Sequence, residues 1–180
     1  YNKIRKMDIA DGPGVRVSIF MQGCTFNCKN CFNPETHDFN GGKEFTDATI
    51  DRIMELCKNE NVEGLSILGG EPMHPNNIEG TTKLAKVFKE QYPDKNLWAW
   101  TGFKFDRDLK DKEVVKYLDV LVDGQSNTRL ERFSKPKSNR CTKEFKEWRS
   151  DSMERNFLTG TFAILYNIKN NIRREKNERY

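Results

Sequence analysis

Histidine is nearly absent from this chain: 180 residues hold two, His37 and His74, and neither stands near a motif that would make it a catalytic base. That scarcity excludes Ser/His/Asp and Cys/His constellations, which need an imidazole held against a nucleophile. Long apolar runs are missing as well, so no segment is suited to span a bilayer, and no stretch has the form of an export signal. Charge of one sign is not in large excess, since 31 Lys and Arg against 27 Asp and Glu leave +4. The basic residues lack the aromatic interleaving or helix-turn-helix pattern of a nucleic-acid reader. These absences predict a polar, cytoplasmic protein with no membrane and no nucleic acid as partner, in a compartment that keeps thiols reduced.

Cysteine is sparse too, yet three of the five fall in one stretch, Cys24-Thr25-Phe26-Asn27-Cys28-Lys29-Asn30-Cys31. The CxxxCxxC spacing lets a tight loop turn three thiolates onto one soft metal centre, where a helix or strand would point some of them away. Zinc would ask for four ligands, usually in CxxC pairs. Three cysteines cannot pair evenly into disulfides. A [4Fe-4S] cluster held by three thiolates leaves one iron open to a small molecule or to a distant fourth residue. Cys57 is the candidate for that residue, but it lies on an apolar helical stripe and reads as a small buried hydrophobe.

The chain around the cysteines reads as alternating strands and helices. Val15, Val17 and Ile19 alternate as a strand, preceded by the turn Asp11-Gly12-Pro13-Gly14 and a short extended run. Thr46 to Thr49 offers capping residues for a helix carrying Ile50, Ile53, Met54 and Cys57. Val62 to Leu68 is a strand running into Gly69-Gly70-Glu71-Pro72, where paired glycines either make a turn or bring a ligand close to bare backbone. A helix to about Gln91, a strand over Asn96 to Thr101, a short helix at Val114 to Leu118 and a strand over Val120 to Val122 follow. Such repeats predict a parallel α/β sheet with right-handed crossovers and too few strands for an eight-fold barrel. Loops at the carboxyl ends of parallel strands converge on one face, and the cysteine loop leaves such an end. Arg16 and Asp123, at strand ends, are candidates for polar contacts in the site or for surface ion pairs.

Asp11 to Arg16, the cysteine triplet closed by Cys31-Phe32-Asn33, Gly69 to Pro72, Trp98 to Phe103 and Val122-Asp123-Gly124 occur in that order. Together they resemble the radical S-adenosylmethionine (SAM) enzymes and, within them, the activating enzymes of anaerobic ribonucleoside-triphosphate reductase, from about residue 2 to about 125. The resemblance implies a partial, open (βα) barrel and a [4Fe-4S] cluster on Cys24, Cys28 and Cys31 whose fourth iron chelates SAM. It implies reductive cleavage of SAM to a 5′-deoxyadenosyl radical, which takes a hydrogen from a glycine of the large reductase subunit. Asn30 and Phe32 are then expected to touch SAM, Gly69, Gly70, Glu71 and Pro72 to meet its methionyl end, and Trp100 and Thr101 to wall the site. Reduced flavodoxin or a similar donor is the implied electron source. Activases of other glycyl-radical enzymes, such as pyruvate formate-lyase, share the cluster, and an electron carrier would normally supply four cysteines.

The pattern stops near Gln125, which sets an expected core of 1–125 and an atypical basic tail of 126–180. The family carries a segment of about Arg-Gly-Ser-x-Asn-Gln-Arg-x-Ile-Asp-Val here, and this chain does not. Dropping the first base of the Glu131 codon and reading on permits that segment through Met153. Trp148 and Met153 force a glycine and a tryptophan in the other frame, so a base insertion or deletion near codon 126 is the expected cause. A diverged or disordered basic tail is the alternative.

Overall fold

The computed structural model describes residues 1–125 and 164–167. The elements run β1 (Lys3–Asp8), β2 (Val15–Met21), α1 (Asp47–Cys57), β3 (Val62–Gly69), α2 (Ile78–Gln91), β4 (Asn96–Thr101), β5 (Val120–Asp123) and β6 (Ile164–Asn167). Short 3-10 turns at Pro34–Thr36 and Glu113–Tyr117 and one π turn at Phe105–Leu109 fill connections. The helix expected at 114–118 is therefore a single tighter turn.

The strands form one sheet in sequential order, β1-β2-β3-β4-β5-β6. β2 to β5 are parallel, as the alternation of strands and helices predicts. The two edges depart from that expectation, because β1 pairs antiparallel with β2 and β6 antiparallel with β5. β1 reaches β2 through the turn at residues 9–14, too short for a crossover. No strand was expected beyond Gln125, so β6 is an addition. The remainder of the 126–180 tail, with the proposed change of frame, lies outside the described residues.

Period-two alternation sorts the side chains onto two unlike faces. Val17, Ile19, Met21, Leu65, Ile67, Leu97, Ala99 and Leu121 join Ile50, Ile53, Met54 and Cys57 of α1 and Leu84, Ala85 and Phe88 of α2 in one buried core. α1 starts at Thr46, whose backbone N–H donates to Thr49 Oγ1 at 3.2 Å, and keeps its apolar stripe on the sheet. The opposite face is polar and aromatic: Ser18 of β2 stands level with Ser66 of β3, then Trp98 of β4 and Val120 of β5.

Arg16 opens this second face from the amino end of β2. Fully buried, it donates from Nε to Ser66 Oγ at 2.6 Å, from Nη1 to Asn96 Oδ1 at 2.5 Å and Pro13 O at 3.2 Å, and from Nη2 to Leu65 O at 2.9 Å. Burial drives its pKa down to about 10. Neither reading from the sequence holds, because Arg16 is buried at the end of the sheet away from the cysteine loop and makes no ion pair among the described residues. It ties three strands together instead. Ser66 Oγ passes the link on, donating to Asp11 O at 2.7 Å and so holding the 9–14 turn against the sheet.

Candidate functional site

The cysteine loop is pinned where it leaves β2. Gly23 and Cys24 donate their N–H groups to Thr36 O at 2.8 Å and His37 O at 3.1 Å, so the two ends of the loop lie side by side. Gln22 Nε2 adds bonds to Glu35 O at 3.2 Å and Asp38 O at 2.6 Å. Inside the loop Asn27 and Asn30 adopt left-handed backbone, with φ of 47° and 60°, a conformation asparagine tolerates better than most residues. Asn33 N–H points at Cys31 Sγ, 3.4 Å away.

The paired glycines dock β3 onto this loop. Gly70 N–H donates to Met21 O at 3.0 Å and Glu71 N–H to Gly23 O at 2.8 Å. A Cβ on Gly70 would fall 2.6 Å from Gly23 O and 3.0 Å from Thr36 O, and one on Gly69, at φ +102°, would fall 2.7 Å from Phe20 Cα. Backbone crowding alone therefore demands both glycines, whatever else they contact.

Glu71 then joins β3 to β4. Only 1% exposed, it accepts from Met73 N–H at 2.9 Å and Thr101 Oγ1 at 2.7 Å on Oε1, and from Gly102 N–H at 2.7 Å on Oε2. Burial pushes its pKa up, against the pull of these three donors. Its carboxylate is spent on the scaffold. Phe26, from within the cysteine loop, packs edge-on against Phe103 with ring centres 4.9 Å apart, over a Gly102 whose Cβ would collide with the ring at 2.6 Å.

These contacts enclose a cavity of about 370 Å³. Cys24, Cys28 and Cys31 line it together, and so do Phe32, Gly69, Gly70, Glu71, Trp100 and Thr101. Phe32 is 79% exposed, which places it at the mouth. Asn30 and Pro72 are not part of the wall. Asp123 is not either, although Val122 and Gly124 beside it are; its Oδ2 accepts from Phe105 N–H at 2.7 Å. Cys57 is fully buried in the helix-covered core, where desolvation pushes its thiol up to about 12.

Phe26, Asp11 and His37 are among the wall residues that sequence reasoning did not assign to the site. Phe26 sits inside the triplet and could have been flagged as an apolar residue in a polar loop. Asp11 could have been flagged by its place in the turn before β2. Burial, followed by the neighbouring Asp8 carboxyl, pushes Asp11 up to about 7, while Arg5 and Arg16 pull it down. His37 carried no local signal. Its Nε2 is buried and has no hydrogen-bond partner among the described residues.

Three thiols on one cavity make a soft, sulfur-only donor set. Among the described residues no three His, Cys, Asp or Glu side chains are gathered to hold a metal ion. The sulfur-only set fits an iron-sulfur cluster, which is broader than one ion and accepts thiolate ligands throughout. Among the described residues no helix is long and apolar enough to cross a membrane.

A family profile described as "4Fe-4S single cluster domain" matches residues 10–143. The chain is 36% identical over 130 residues to the anaerobic ribonucleoside-triphosphate reductase-activating protein of Enterobacteria phage T4, a match covering 72% of this chain and 83% of that one. Proteins of the same name from Vibrio cholerae and Escherichia coli K12 are each 36% identical over 128 residues, covering 69% of this chain and 83% of theirs.

Proposed function

The chain belongs to the family of anaerobic ribonucleoside-triphosphate reductase-activating proteins, and on that premise we propose that it is a radical SAM activase acting on the large subunit of that reductase. The observation that carries the reading is the meeting of Cys24, Cys28 and Cys31 with Gly69 and Gly70 on one cavity. In this reading the three thiolates hold a [4Fe-4S] cluster. When bound with SAM, it supplies one-electron reductive cleavage to methionine and a 5′-deoxyadenosyl radical, which takes a hydrogen atom from a glycine of the partner.

The residues bind, orient and shield. Gly69 and Gly70 offer bare backbone to the methionyl end, and Glu71 with Pro72 fixes the turn that presents it. Trp100, Thr101 and Phe32 shape the wall and mouth, and Asn30 turns the loop between the second and third cysteines. An open (βα) barrel, with the face of the sheet opposite α1 and α2 turned inward, is the architecture this function asks for. Reduced flavodoxin or a similar carrier is the proposed donor and the cytoplasm the proposed location. Residues 1–125 are the proposed core; sequencing the DNA across codons 125 to 155 tests whether 126–180 is read in a shifted frame.

Anaerobic reconstitution followed by a SAM-cleavage assay tests the function. Methionine and 5′-deoxyadenosine are expected with a reductant, and a glycyl-radical EPR signal only when the large subunit is added. Four irons with no SAM cleavage would leave an electron carrier.

A further inference from the structure

We propose that His37 donates a hydrogen bond from Nε2 to a sulfur of the iron-sulfur cluster and so raises the cluster's reduction potential; this rests on the cluster assignment above. Three observations lead there. His37 lines the cavity that holds the three cysteines. Its Nε2 is shut away from solvent with no hydrogen-bond partner among the described residues, which a buried polar atom does not tolerate unless something else satisfies it. Its own carbonyl accepts from Cys24 N–H at 3.1 Å, so the imidazole is carried on the same two-rung ladder that sets the first cysteine.

The occupant's chemistry follows from the wall. A cluster with three thiolates is anionic and accepts hydrogen bonds without donating any, which suits an imidazole in the tautomer with its proton on Nε2. One N–H, that of Asn33, already points at Cys31 Sγ from 3.4 Å. Glu71 and Thr101, which also line the cavity, are bonded to each other. His74, the second histidine, is engaged elsewhere, its Nδ1 accepting from Asn76 N–H at 3.2 Å and its ring 4.6 Å from Phe39. A donor to sulfur stabilises the more negative, reduced cluster, and that raises its potential.

The experiment uses the full chain, reconstituted anaerobically. Iron and sulfide in the wild type are measured first; a chain that takes up neither fails the cluster reading and takes this inference with it. In a wild type labelled with ¹⁵N-histidine, pulsed EPR of the reduced cluster is expected to show a weak ¹⁵N coupling, lost in His37→Gln. Redox titration is expected to give a more negative midpoint for His37→Phe and a midpoint near wild type for His37→Gln, whose amide can place a donor close to Nε2. A loaded wild-type cluster without ¹⁵N coupling overturns the proposal. So does a strong coupling, which would mean that nitrogen binds iron directly, and so does an unchanged midpoint in a fully loaded His37→Phe. Should His37→Phe fail to load, the label in the wild type decides alone.

Discussion

Thr101 donates its hydroxyl proton to Glu71 Oε1 across 2.7 Å, joining the carboxyl ends of two neighbouring strands in a place closed to water. Removing the hydroxyl with Thr101→Val leaves Glu71 its two backbone donors, and a loss of about 1 kcal/mol is expected. Glu71→Gln is the more damaging change. Both carboxylate oxygens accept backbone N–H groups, so an amide must face one donor with another, at about 2 to 3 kcal/mol. Urea midpoints of the apo chains check the order, and a Gln variant more stable than the Val variant would contradict it.

Single replacement of Cys24, Cys28 or Cys31 by Ala is expected to abolish iron-sulfur absorbance. Cys57→Ala should keep it. The Cys57 thiol lies in the helix-covered core and is pushed up to about 12, so no thiolate forms there at neutral pH. Its loss should cost about 1 to 2 kcal/mol of stability only. A cluster lost with Cys57 would make it the fourth ligand after all.

Gly70→Ala is expected to disturb the cysteine loop itself rather than a ligand alone. The added methyl carbon would meet Gly23 O at 2.6 Å and Thr36 O at 3.0 Å, both backbone atoms with little freedom to yield. Overpacking of this kind costs about 1 to 3 kcal/mol. Reduced iron uptake together with a lower denaturation midpoint is the expected result; normal uptake with weaker SAM binding would show that the strain is relieved towards the cavity.

Asp11 should make stability fall with rising pH. Its carboxyl is raised from an ordinary 3.8 to about 7, so the folded chain holds this proton more tightly than the unfolded one. The resulting stabilisation is complete below pH 3.8 and is lost as pH climbs through about 7. Asp8 works in the opposite sense. Burial pushes it up but hydrogen bonds from Asp11, Ala10 N–H and Arg5 hold it low, so its contribution is lost only in acid. Asp11→Asn, which has no proton to lose, should gain on the parent as pH rises, its advantage being about 1 kcal/mol larger at pH 8 than at pH 5, allowing for solvent screening. Urea midpoints at the two pH values measure the gap; a gap that does not widen with pH counts against the pair.

What the sequence made legible was whatever depends on near neighbours. The cysteine spacing singled out the loop whose three thiols line the cavity, because its geometry is local. The strands and helices from Val15 to Val122 were legible for the same reason, their apolar periods matching the helix-covered core. Arg16 lies near the amino end of β2, one residue after Val15, and so away from the carboxyl ends where the loops gather. Gly69 and Gly70 stood out as paired glycines at a strand end, but the crowding that requires them comes from Phe20, Gly23 and Thr36, which only the register of β2 with β3 brings close. Asp11 and His37 reach the cavity through Ser66 and Cys24, contacts that leave no trace in neighbouring letters. β6 owes its place to pairing with β5, and four residues are too few to announce a strand.

The ring of Phe26 rests where Gly102 has no side chain, so two positions far apart in the chain share one parcel of space. Drift at either is therefore not free. Across descendants of this sequence, a methyl or larger group at 102 is tolerable only where 26 has shrunk, and the two should be exchanged together. Transplanting the cysteine loop into another member of the family without its β4 partner would carry that debt along, and an alignment deep enough to count pairs would reveal it as covariation between a cluster loop and a strand that contributes no cysteine.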